Sequence, residues 1–125
     1  MLEDDLWSYD LRYRDHRGTV RVTHRPDLVV QIDSGPVAIE VELARKAPVR
    51  LRGICAMYTE LTEADGPLAG VIYITDRADV SALVTRCAHD SGLASPALSM
   101  RSFATVLQQT RAAAAAIATR RSELA

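Results

Sequence analysis

The chain has 125 residues, 48% of them apolar and 25% charged, with a net charge of −1. That is long enough for one domain with a real core, and the charge excludes a protein that is basic all over. No run approaches a membrane span, and the acidic start Met1-Leu2-Glu3-Asp4-Asp5 is unlike a signal or transit peptide, so the expected location is cytoplasmic.

Residues 2–16 read as a short helical start running into a strand near Trp7–Arg14, where Trp7, Tyr9, Leu11 and Tyr13 alternate. Arg17-Gly18 marks a turn, and Thr19–Thr23 is a second strand with Val20 and Val22 inward. Leu28–Ile32 and Val37–Leu43 are the third and fourth, joined through Asp33-Ser34-Gly35. In the fourth, Val37, Ile39, Val41 and Leu43 face one way and are expected to pack a core. Ala38, Glu40 and Glu42 face the other way, which is left for a site.

Pro48 suits the first turn of a helix, and Leu51, Ile54, Cys55, Tyr58 and Leu61 then keep helical period until Asp65-Gly66-Pro67. Ala69–Thr75 is nearly all apolar and reads as a central strand buried on both faces. A helix follows, with Val80, Leu83, Val84, Cys87 and Ala88 on its apolar side, ending near Gly92. Pro96–Met100 reads as a short edge strand, and Ser102 as the N-cap of a long, alanine-rich helix over about 102–123. Cys55 and Cys87 match no metal-ligand spacing and read as buried thiols. The expected fold class is α/β (α+β), a mixed four- to five-stranded sheet flanked by helices, with a βαβ crossover from the fourth strand to Ala69–Thr75.

The chemistry concentrates in residues 24–46. Glu40 and Glu42 are two apart on one strand, so they share a face, and Asp27 opens the strand that pairs with it. Three converging carboxylates repel one another unless a cation or proton intervenes, and an oxygen-only ligand set suits Mg²⁺ or Mn²⁺. Lys46 is the sole lysine beside fourteen arginines, and a compact ammonium can orient a water or offset charge on a phosphate. Nine of the fifteen basic residues precede residue 53: Arg12, Arg14, Arg17, Arg21, Arg25, Arg45, Lys46, Arg50 and Arg52. This clustering would attract a phosphate backbone beside the acidic site, or else form a solvated basic face.

Pro26-Asp27, a gap of twelve, then Glu40-Val41-Glu42 resembles the motif of the PD-(D/E)XK nuclease superfamily over about residues 19–76. The longer string from His24 to Lys46, with the following helix and Tyr58, is similar to the nuclease-like domain of actinobacterial replication–relaxation proteins of mobile elements. The resemblance implies a restriction-endonuclease-like core and metal-dependent hydrolysis of DNA phosphodiester bonds, in mobile-element or replication and repair processing. It implies Asp27 and Glu40 as metal ligands, with the Val41 carbonyl beside them. The third motif position, usually lysine, is Glu42, and Lys46 at the start of the next helix would be the displaced lysine. Tyr58 resembles the helix tyrosine of the RecB-like branch, although the glutamine expected four residues earlier is Ile54.

The expected catalytic set is therefore Asp27, Glu40, Glu42 and Lys46, with the three acids holding the metal. His24, Arg25, Arg45, Arg50, Arg52 and Tyr58 are candidate DNA contacts. A domain this small has little surface to grip DNA, so a homodimer through the alanine-rich helix is expected, with a separate DNA-targeting protein as a further partner. The alternative is a catalytically inactive nuclease-fold module for DNA binding or protein assembly, since a fold by itself does not establish an activity.

Overall fold

The structure, a computed structural model, describes residues 7–124. Strands β1 (Tyr9–Asp15) and β2 (Gly18–His24) form an antiparallel hairpin. Its two-residue turn is closed by Gly18 at φ +119°, a conformation open to glycine, and by Asp15 Oδ1 accepting the Arg17 N–H at 2.8 Å. Then come β3 (Leu28–Ile32), β4 (Gly35–Val41), helix α1 (Pro48–Leu61), β5 (Gly70–Ile74), helix α2 (Ala78–Ser91), β6 (Leu98–Arg101) and helix α3 (Phe103–Leu124). The helical start expected over residues 2–6 lies outside the described residues.

The fold is α+β, a mixed sheet with helices. The main sheet has order β3-β4-β5-β6, with β3 antiparallel to β4 and the other pairs parallel. Among the described residues it has four strands and not five, because β1 and β2 pair with each other and make a separate two-stranded sheet. That hairpin is anchored by packing: Leu11 on β1 is fully buried, and α1 lies close against the strand. At Gly53 a Cβ would stand 2.9 Å from Tyr13 Cβ and 3.0 Å from the Arg12 carbonyl oxygen, so only glycine lets the two backbones approach this closely.

One core forms between α1, α2, β1 and one face of the main sheet. Leu51, Ile54, Cys55 and Tyr58 from α1 meet Val80, Val84, Cys87 and Ala88 from α2 over Ala38, Val71 and Tyr73. Both cysteines are buried free thiols, and burial pushes the Cys55 thiol up to about 12. The helix boundaries follow local chemistry. Pro48 occupies the first turn of α1, and α2 ends at Gly92 in the left-handed region at φ +83°. Ser102 caps α3, its Oγ accepting the Thr105 N–H at 3.1 Å. No residue of α3 is buried. Among the described residues no helix is long and apolar enough to cross a membrane.

The orientation of β4 reverses the sequence expectation. Its core-facing row is Ala38 and Glu40, continued by Glu42 just past the strand end. Of the row expected inside, Val37 is buried, Ile39 and Val41 are only half-buried, and Leu43 is 71% exposed. The helices cover the row that carries the acids, so those acids are inside and must be satisfied there.

Candidate active site around Glu40

Glu40 is the penultimate residue of β4, opposite Tyr73 of β5, both facing α1, and is 3% exposed. A buried carboxylate is tolerable only with hydrogen-bonding partners, and Glu40 has two on Oε1. His24 Nε2, at the end of β2, lies 2.7 Å from it, and the Tyr58 hydroxyl of α1 donates to it. The His24 and Tyr58 rings meet edge to face, with centroids 6.0 Å apart. Three separate elements thus fix one carboxylate. Burial, then the Glu40 charge and hydrogen bond, hold the Tyr58 phenol far above its ordinary value, so it is a permanent donor.

Asp27 precedes β3. One step along the ladder from the Leu28–Ile39 pair, it comes opposite Glu40. Its Oδ2 accepts the Val41 N–H at 2.7 Å, which ties it to the backbone between the two glutamates. Glu42, 4% exposed, is held by Lys46, whose Nζ donates to Oε1 at 2.6 Å and to Oε2 at 2.8 Å. The segment between β4 and α1 is short enough for this lysine to fold back over the acid. A charge-assisted pair of this kind neutralises a buried carboxylate without an external cation.

The structure thus brings Asp27, Glu40, Glu42 and Lys46 together around Val41. It does not arrange the acids as a three-carboxylate cage. Among the described residues no group of three or more His, Cys, Asp or Glu side chains is placed to hold a metal ion. The reason lies in the partners just named: Glu42 is capped by Lys46, Glu40 turns inward to His24 and Tyr58, and Asp27 turns to a backbone N–H. With Glu42 taken up by Lys46, a metal bound here would be held by Asp27 and Glu40; Mg²⁺ typically keeps several waters and takes one or two protein carboxylates plus substrate phosphate.

Arg25, Arg45, Arg50 and Arg52 are exposed. Two candidate DNA contacts are not at the surface: Tyr58 is fully buried and His24 is 7% exposed. Both are spent on Glu40, because a buried carboxylate draws the nearest donors inward. Tyr73 and Tyr9 were not singled out by sequence. Their hydroxyls are buried and have no hydrogen-bond partner among the described residues, and burial raises both phenols, with the charge of Glu40 adding to the rise at Tyr73. The available signal was a tyrosine inside the otherwise aliphatic run Gly70–Ile74.

Comparison with protein-family models, curated proteins and solved structures finds no match to this chain.

Proposed function

We propose that the protein is a metal-dependent nuclease-like protein that hydrolyses DNA phosphodiester bonds, in mobile-element or replication and repair processing. The observation that supports this most is the meeting of Asp27, Glu40 and the Glu42–Lys46 pair around Val41. Asp27 and Glu40 would hold Mg²⁺ or Mn²⁺, which when bound polarises a phosphoryl oxygen and lowers the pKa of a bound water. His24 and Tyr58 fix the orientation of Glu40, so its rotamer is set before any substrate arrives. Lys46 brings a positive charge to the mouth of the site, where charge would develop on a phosphate. A second copy docked through α3, which buries none of its own residues, would supply the extra DNA-gripping surface a small domain lacks. A separate DNA-targeting protein would do the same.

The test is cleavage of duplex, single-stranded and branched DNA with Mg²⁺ or Mn²⁺ by purified protein and by Asp27→Ala. Cleavage that vanishes in the variant supports the reading; equal behaviour of the two proteins rejects it.

A second reading, a catalytically inactive nuclease-fold module, is favoured by one observation. Glu40 and Glu42 are already satisfied by His24, Tyr58 and Lys46. Calorimetric titration with Mn²⁺ separates the two, since the inactive module gives no heat that depends on Asp27 and Glu40.

A further inference from the structure

The β1–β2 hairpin places arginine opposite arginine. In its register Arg12 pairs with Arg21, and Arg14 with Thr19. Alternation sends Leu11 and Tyr13 toward α1, so Arg12 and Arg14 project from the other face, beside Arg21. All three are exposed, and among the described residues none has a carboxylate within ion-pair distance. Like charges directly opposite one another destabilise a strand pair. A polyanion laid along the ribbon would turn that repulsion into binding.

We propose that this ribbon is a duplex-DNA contact arm, with Arg12, Arg14 and Arg21 on the phosphate backbone. The proposal rests on the reading of the protein as DNA-processing. Strands of seven residues give an arm about 23 Å long, and a two-stranded ribbon is one of the shapes the B-form major groove admits. Thr19 and Thr23 lie on the same face and add hydroxyl donors, while the His16-Arg17 turn forms the tip. Three acids border this surface. Asp10 shares the face, and Glu60 of α1 lines the groove that holds Asp10 and Arg12; both belong to the base of the arm. Asp15, at the tip on the other face, turns its carboxylate to the Arg17 N–H, so Arg14, Arg17 and Arg21 leave the outer part with more positive than negative charge. On its other face the base of the ribbon is tied to the site: Tyr9 pairs with His24, and His24 holds Glu40.

The experiment is fluorescence anisotropy with a 20-base-pair DNA duplex, in chelator and without divalent metal, at salt concentrations between about 50 and 200 mM. Wild type should bind with a salt-dependent affinity. The variant Arg12→Gln/Arg14→Gln/Arg21→Gln should bind roughly tenfold or more weakly, with its log–log salt slope reduced by about 2–3. Circular dichroism checks its fold, and Arg12→Lys/Arg14→Lys/Arg21→Lys should restore most of the slope. The charge-matched control Arg77→Gln/Arg86→Gln/Arg101→Gln, at exposed positions on and beside α2 and β6, should leave the slope unchanged. Duplex RNA should compete more weakly, because its major groove is too deep and narrow for the ribbon. The proposal is overturned if wild type does not bind the duplex at the lowest salt, if the hairpin variant binds normally, if the charge-matched control loses as much, or if RNA competes equally. Hairpin-dependent binding without cleavage would sink the hydrolytic reading and leave the arm standing. Cleavage with hairpin-independent binding would do the reverse.

Discussion

Lys46 Nζ bridges both carboxylate oxygens of Glu42, at 2.6 and 2.8 Å, so the sole lysine of the chain neutralises a glutamate on the core-facing row. Removing the lysine alone leaves a buried carboxylate uncompensated. Lys46→Ala should therefore destabilise the fold by about 1–3 kcal/mol in urea unfolding. Glu42→Gln combined with Lys46→Ala should recover part of that loss. A double variant no better than Lys46→Ala would show that the pair does not carry the effect.

Tyr58→Phe deletes a hydroxyl donor to Glu40 and should cost about 1–3 kcal/mol, read from the same denaturation midpoint. The phenol also sets an alkaline limit. Its folded-state pKa, like that of Tyr73, lies above the unfolded value near 10. The stability it contributes is thus complete below pH 10 and is lost as pH rises above that value. Phenolate absorbance from Tyr58 and Tyr73 should appear only together with loss of helical circular dichroism. Ionisation of these two in a folded chain would contradict the buried site.

Gly53→Ala should weaken the contact of α1 with the hairpin, since the added methyl meets Tyr13 Cβ and the Arg12 carbonyl at about 3 Å. Overpacking of this kind costs about 1–3 kcal/mol. A thermal melt unchanged from wild type would place α1 further from β1 than described.

Helix α3 should exchange its amides much faster than α1. It is 22 residues long but buries none of them, so beyond its first turns, where Ser102 caps it and Asp76 Oδ1 accepts the Phe103 N–H, intrinsic propensity is its main support in the isolated chain. Hydrogen exchange read by peptide mass spectrometry checks this, and Ser102→Ala should speed exchange in the first turns without moving the global melting temperature. Slow exchange in α3 that persists on dilution would mean that it packs on its own chain.

Most elements were legible from period and punctuation. The run Gly70–Ile74, the α1 row Leu51–Ile54–Cys55–Tyr58 and the stop at Gly92 each combine a clear apolar pattern with a local breaker. The face of β4 was not legible. Its aliphatic row, Val37-Ile39-Val41, looks like the core side, and only the arrival of His24 and Tyr58 from distant elements makes Glu40 fit inside. The separation of the hairpin from the main sheet was hidden for a related reason. Alternation shows that β1 and β2 are strands, but which neighbour they take depends on the close approach at Gly53. At the site, spacing alone put Asp27, Glu40 and Glu42 near one another. It could not show that each carboxylate finds a partner within the chain.

The hydrolytic site proposed at Asp27 and Glu40 stands or falls on DNA cleavage in Mg²⁺ or Mn²⁺. Wild-type protein should cut DNA only with the metal present, and Asp27→Ala should not cut at all. No cleavage of duplex, single-stranded or branched DNA by a folded wild-type protein, or equal cleavage by Asp27→Ala, would contradict it.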